Sequence, residues 1–221
     1  MLSNLKRQVR NLLVDTFVWD LRERRSENEE VAAWQKAGQP VPPPARVKRQ
    51  ILAAYGAAFG VGTLVETGTF LGGTVYALKD RFRTIYSIEL SDDLMNRARH
   101  RFRKYSHIRI LHGDSGELLP DLLGDVSERC LFWLDGHYSA GITARGKLDT
   151  PIVSELMTVF DHTIKDHVIL IDDARLFNGT EDYPTLEELK ALFADQRPDY
   201  QFSVVNDVIR AHPAKKVETA Y

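Results

Sequence analysis

The apolar positions Leu2, Leu5, Val9, Leu12, Leu13, Phe17 and Leu21 recur at spacings of three and four, with Lys6, Arg7 and Arg10 largely off that stripe. This is the pattern of an amphipathic helix, and such a helix needs a surface to cover. A charged stretch from Arg22 to Glu30 and a short piece around Trp34 follow, and then Gly38-Gln39-Pro40-Val41-Pro42-Pro43-Pro44, whose four prolines exclude regular helix or central strand and mark a linker. Beyond it the period changes. Short β-rich runs at Thr63–Glu66, Thr84–Glu89, His107–Leu111, Cys130–Asp135 and Val168–Asp172 alternate with helical stretches at Gly73–Asp80, Asp92–Lys104, Gly116–Leu123 and Thr150–Phe160; a further one, Thr185–Ala194, follows the fifth run. Alternation of this kind predicts a parallel sheet with crossover helices, and right-handed crossovers bring the strand C-termini to one edge, where open α/β sheets bind ligands. Tyr200–Val205 and Val208–His212 are separated only by Asn206-Asp207, a spacing that suits a tight hairpin, so the last strand is expected to be antiparallel. The expected organisation is a helical extension and Pro-rich linker over residues 1–45 and an α/β domain over 46–221.

With 221 residues, 43% hydrophobic and 27% charged, the chain carries enough apolar material for one sizeable core. Lys plus Arg number 29 against 31 Asp plus Glu, a net charge of −2, so no global field recruits nucleic acid and an anionic ligand must be gripped locally. The longest purely apolar stretches, such as Cys130 to Leu134, fall far short of the ~20 residues that span a bilayer. Basic residues interrupt the N-terminal stripe where a signal peptide needs an unbroken apolar core, so a cytoplasmic protein is expected, with no stable membrane insertion. Over residues 1–25 six basic and three acidic residues leave +3, which admits a membrane-surface anchor as a rival to a homodimer interface for the N-terminal helix. Cys130, the single cysteine, has no disulfide partner within the chain and is expected as a buried thiol.

The chemistry-bearing residues gather where the strands should end. The first strand runs into Glu66-Thr67-Gly68-Thr69-Phe70-Leu71-Gly72-Gly73-Thr74, an acidic residue followed by a Gly-rich turn into a helix, which lets the backbone approach a ligand closely. The second ends in Glu89, about 20 residues on, placed for a ribose diol. The third leads to His112-Gly113-Asp114-Ser115; Ser115 is read partly as a helix cap. Taken together these segments resemble the class I S-adenosylmethionine-dependent methyltransferases, over roughly residues 46 to 221. The resemblance implies a Rossmann-like fold of seven strands, mostly parallel with the last antiparallel. It also implies that Glu66 and the Gly68–Gly72 backbone, with Thr69 and Phe70, face the methionine part of S-adenosylmethionine, Glu89 the ribose, and Asp114 and Ser115 the adenine. An NAD-dependent enzyme is the rival reading of the same elements, but its Gly-x-Gly-x-x-Gly fingerprint does not fit Gly68-Thr69-Phe70-Leu71-Gly72-Gly73.

The fourth strand ends in Asp135-Gly136-His137 and the fifth in Asp172-Asp173. In the methyltransferase strand order these ends are neighbours, and three converging carboxylates either raise their pKa values or take a cation; hard oxygen ligands select Mg²⁺ or a similar divalent ion. The arrangement resembles the metal-dependent O-methyltransferases, of the catechol type and, through Glu66-Thr67-Gly68 and Ile171-Asp172-Asp173, of the macrolide and aminocoumarin sugar type. That resemblance assigns Asp135, Asp172 and Asp173 to the metal, with Asp135 also beside the cofactor. The sugar enzymes often carry Asp-x-Asp after the fourth strand; here the second position is His137, whose neutral imidazole can take a proton from a hydroxyl near pH 7. Tyr138–Asp149 reads as an active-site loop able to fold over substrate, with Arg145 and Lys147 taken as solvated residues in preference to binders of an anionic substrate group, and Asn178–Pro184 as a second polar loop at the same edge that could supply a substrate contact. The expected function is methyl transfer to a hydroxyl of a small sugar-like or polyhydroxylated substrate. The alternative from another class is a cofactor-binding fold without catalysis that acts as an interaction module.

Overall fold

A computed structural model describes residues 17–136 and 150–219 of the chain. Helix α1, Phe17–Lys36, continues through the charged stretch and through Trp34, both of which the apolar pattern left outside the helix. The reason is that Arg, Glu, Ala and Gln are good helix formers whatever their polarity, and the charges make a solvated face with an i,i+4 pair, Arg25 to Glu29 at 3.0 Å. Most of the Leu2–Leu21 stripe lies outside the described residues. After α1 the chain turns, the Trp34 indole donates to the Pro40 carbonyl at 2.7 Å, and helix α2, Ala45–Phe59, begins directly after the last proline. Two compact units result, one up to Lys48 and one from Arg49 onward.

The second unit carries the sheet. Its strands are β1 Thr63–Thr67, β2 Thr84–Glu89, β3 Ile108–His112, β4 Cys130–Leu134, β5 Val168–Ile171, β6 Tyr200–Val205 and β7 Val208–Pro213, in the order β3-β2-β1-β4-β5-β7-β6. The first five are parallel; β7 runs antiparallel to both β5 and β6. Asn206 and Asp207 both take positive φ, 52° and 60°, which makes the type I′ turn that matches hairpin twist. Central strands β1, β4 and β5 are buried along their whole length because helices cover both faces of a parallel sheet, and this is why β4 and β5 read as unbroken apolar runs, whereas β1 buries Thr63, Glu66 and Thr67 as well. The helices are α3 Gly73–Leu78, α4 Asp92–Phe102, α5 Ser115–Gly124, α6 Ile152–Asp161 and α7 Leu186–Gln196. Phe132, Leu156, Phe160 and Phe193 fill one layer of the core, with the Phe160 and Phe193 rings edge to face at 5.1 Å.

Register aligns the functional ends. Thr67 stands opposite Ile88 on one side and Leu134 on the other, and Leu134 stands opposite Ile171. Strands β4 and β5 end at Leu134 and Ile171, one residue before the expected ends, and the next N–H on each still crosses to its neighbour, Asp135 to the Thr67 carbonyl at 3.2 Å and Asp172 to the Leu134 carbonyl at 3.0 Å, which holds both aspartates at the common edge. Helix α5 begins at Ser115, and its cap is Asp114, whose Oδ1 accepts the Gly116 N–H at 2.9 Å; this corrects the expectation that Ser115 caps the helix. At the opposite edge Cys130 is buried, with its thiol pushed up to about 12 by burial and by Glu128. Beside it His167 Nδ1 accepts the Cys130 N–H at 3.0 Å, and its Nε2 lies 2.8 Å from His162 Nδ1.

Candidate active site

Glu66, the penultimate residue of β1, has 1% of its surface exposed. Register places it across from Ser87 of β2, whose hydroxyl donates to Glu66 Oε2, and the Thr74 hydroxyl bonds it from the start of α3. Burial first, and then the charges of Asp135 and Glu89, push its carboxyl up to about 8 against the pull of these two hydroxyls. Thr69 Oγ1 lies 2.6 Å from Ser87 Oγ, so one serine ties the acidic strand end to the turn that follows it. That turn needs a glycine at 68: φ is +86°, and a Cβ there would stand 2.5 Å from the carbonyl oxygen of Asp135.

Glu89 ends β2 as the sequence implied, and it holds the loop. Its Oε2 accepts the Phe70 N–H at 2.7 Å and its Oε1 accepts the Ser91 N–H at 2.9 Å. Phe70 itself has φ 49°, a left-handed backbone for an aromatic residue, and the residue is 44% exposed beside the edge. Each Glu89 oxygen can accept a second bond, so a ligand diol remains within its capacity. The third strand end brings Asp114 and Ser115 to the same edge, with one Asp114 oxygen committed to the helix cap.

On the other side of β1 stand the three aspartates. Oxygen atoms of Asp135, Asp172 and Asp173, one from each, lie within 4.8 Å of one another, and Asp172 and Asp173 are buried. Asp172 Oδ1 accepts the Asp173 N–H at 2.7 Å, and Asp173 is held in a left-handed conformation at φ 53°. Arg175 donates to Asp173 Oδ1 at 2.7 Å and also to Asp207, whose Oδ1 accepts the Arg175 N–H at 2.8 Å; the hairpin turn thereby braces the acidic group. The donor set, carboxylate oxygens from adjacent strand ends, suits a hard divalent cation, with one Asp173 oxygen shared with the arginine. Tyr183, bonded to Thr150 and packed on Phe177 at 5.1 Å, lies close enough to Asp173 and Asp135 for their charges, after burial, to raise its phenol.

The edge therefore brings together Glu66, Gly68, Thr69, Phe70, Gly72, Glu89, Asp114 and Ser115 on one half, and Asp135, Asp172 and Asp173 on the other. His137, Arg145 and Lys147 lie outside the described residues. Several members were not singled out from the sequence. Ser87 is one, although a polar residue in a central strand opposite an acidic one was a usable signal. Arg175 and Asp207 belong together only through the return of β7 beside β5, which no local pattern shows. Glu155 is the third kind: it interrupts the apolar stripe Ile152, Leu156, Val159 on the buried side of α6, is 1% exposed, and accepts the Ser115 hydroxyl at 2.5 Å. Burial is the main cause that pushes its carboxyl up to about 7, with Asp114 and Asp135 adding to it and the Ser115 and Thr67 hydroxyls opposing.

No family model matches the chain, and no curated protein matches it. Solved structures do. The O-methyltransferase TomG of Streptomyces achromogenes, involved in tomaymycin synthesis and bound to S-adenosylmethionine, superposes with a TM-score of 0.58 at 14% identity, covering 85% of this chain and 89% of its own. An O-methyltransferase from Bacillus cereus, in complex with S-adenosylhomocysteine, gives 0.58 at 13% identity, with 86% and 91% covered. The Podospora anserina methyltransferase PaMTH1, also bound to S-adenosylhomocysteine, gives 0.56 at 14%, with 91% and 97% covered. The chain has the Rossmann-like fold of these methyltransferases: seven strands, the last antiparallel, with helices around the sheet. No described helix is long and apolar enough to cross a membrane.

Proposed function

We propose that this chain is an S-adenosylmethionine-dependent O-methyltransferase that uses a divalent cation and acts on a small polyhydroxylated or sugar-like acceptor. One observation carries the reading: a glycine loop braced by Glu66 and Glu89 shares one sheet edge with three aspartates whose oxygens lie within 4.8 Å. The bound neighbours of the same fold support the cofactor. When bound, S-adenosylmethionine supplies an electrophilic methyl group and Mg²⁺ supplies a Lewis acid for the acceptor hydroxyl.

The protein's residues are left with positioning, charge and one proton. Glu66 offers a buried carboxylate to a cationic amino group, and Glu89 offers acceptor capacity to a diol while holding the Phe70 amide. Asp135, Asp172 and Asp173 would hold the cation, with Arg175 limiting the net negative charge that the group presents. His137, two residues beyond Asp135, is assigned the acceptor's proton. The test is transfer of a labelled methyl group from S-adenosylmethionine to a panel of sugar and catechol hydroxyls, with chelator and with Mg²⁺ restored. Metal-dependent transfer is the expected result. Cofactor binding with no transfer would favour the interaction module, and a rate indifferent to chelation would turn the aspartates into hydrogen-bond acceptors for substrate.

A further inference from the structure

Helix α6 packs Ile152, Leu156, Val159 and Phe160 into the core, and Glu155 stands on that same buried face. A carboxylate at such a position costs stability unless donors surround it, and a leucine would fill the space without that cost. Its partners all belong to the candidate active site. Ser115, first residue of α5, donates its hydroxyl to Oε1 at 2.5 Å, and the Thr67 hydroxyl, at the end of β1, bonds the same carboxylate. Thr67 Oγ1 in turn accepts the Asp135 N–H at 3.2 Å, an N–H that it shares with the Thr67 carbonyl, also at 3.2 Å. A hydroxyl has one proton to give, so with the Thr67 proton directed to Glu155 its lone pair is left for Asp135. The chain passes directly over this pair at Gly136, where a Cβ would stand 3.1 Å from Thr67 Oγ1 and 3.2 Å from Glu155 Oε1.

We infer that Glu155 is a positioning residue of the site: through Thr67 it orients the end of β4 that carries Asp135, and through Ser115 it fixes the turn expected to face the adenine. The cofactor consequences rest on the methyltransferase reading; the placement of Asp135 does not. Glu155→Gln keeps the size but offers one acceptor oxygen where two hydroxyls donate, and turns N–H donors toward one of them. Thr67→Val removes the hydroxyl at nearly constant volume, and Thr67→Ser retains it.

The experiment is calorimetric titration of the full chain and its variants with S-adenosylhomocysteine, together with hydrogen exchange at the Asp135 amide. Glu155→Gln is expected to fold, to weaken S-adenosylhomocysteine about tenfold, the scale of one lost hydrogen bond, and to speed Asp135 exchange. Thr67→Val should do the same, the double variant should be no weaker than the worse single one, and Thr67→Ser should restore the parent values. Parent affinity and parent exchange in Glu155→Gln would overturn the inference, as would losses that simply add in the double variant. If Glu155→Gln does not fold, Gly136→Ala, which presses a methyl on the same pair, decides: weaker binding and faster Asp135 exchange support the inference, and unchanged values overturn it. A parent chain that binds no S-adenosylhomocysteine would overturn the methyltransferase reading alone, because Asp135 exchange still tests the positioning.

Discussion

A carboxylate with almost no exposure must either keep its proton or be held by donors, and Glu66 is placed to do each in turn. With its carboxyl pushed up to about 8, it is mostly protonated at pH 7 in the free protein. A cationic amino group brought beside it would favour the ionised form, so binding of S-adenosylhomocysteine at pH 7 is expected to release close to one proton. Calorimetry in buffers of different ionisation enthalpy reads that number directly; it should fall toward zero in Glu66→Gln, and an unchanged release in that variant would move the proton to another group. Glu155 obeys the same rule and was the harder residue to see. A glutamate at 1% exposure and one on a solvated helix face are the same letter in the sequence, and only the neighbours Ser115 and Thr67, 40 and 88 positions away in the chain, distinguish them.

At the scale of elements, the strand ends decide the chemistry. Asp135, Asp172 and Asp173 meet because β4 and β5 pair in register and both stop at the edge, Leu134 opposite Ile171. The sequence showed the strands, their order of appearance and the acidic residues near their ends, since β4 and β5 are apolar along their whole length. It did not show the brace. Arg175 reaches Asp207 because the β6–β7 hairpin returns antiparallel beside β5, and a bond across 32 positions leaves no periodic trace. Asp135→Asn removes one charge from the group and is expected to lower Mg²⁺ affinity and turnover together, with excess Mg²⁺ partly restoring the rate. His137→Ala is expected to leave Mg²⁺ binding near the parent value while slowing the chemical step by ~10²–10⁴-fold. Isothermal titration with the metal and single-turnover rates separate the two, and loss of metal binding in His137→Ala would make the imidazole a ligand.

Across the whole molecule, one contribution to acid stability lies away from the site. His167, 1% exposed, is held neutral, its ring lowered to about 3 first by burial and then by His162 and by Arg197, Arg129 and Lys165. A histidine whose folded pKa lies below the unfolded 6.5 gives stability that is complete above pH 6.5 and is lost as pH falls toward 3, at up to about 1.4 kcal/mol per pH unit. The raised carboxyls of Glu66 and Glu155 act in the opposite sense, favouring the fold below 4.5 and losing that contribution as pH rises through about 7 and 8. His167→Asn keeps an acceptor for the Cys130 N–H without the titrating ring, so urea unfolding midpoints between pH 6.5 and 4 should flatten. A parent-like acid limb would assign it to other groups.

The central claim is that one sheet edge holds a methyl-donor cofactor on one half and a divalent cation on the other. It is tested most directly by calorimetric titration of the full chain with S-adenosylhomocysteine in the presence and absence of Mg²⁺, repeated on Glu89→Ala and Asp135→Asn. The account predicts saturable cofactor binding in the parent, a loss of about 1–3 kcal/mol in Glu89→Ala through the missing charge-assisted bonds, and a Mg²⁺ heat that Asp135→Asn diminishes. A parent chain that binds S-adenosylhomocysteine no more tightly than Glu89→Ala does, with no Mg²⁺ heat, would contradict it.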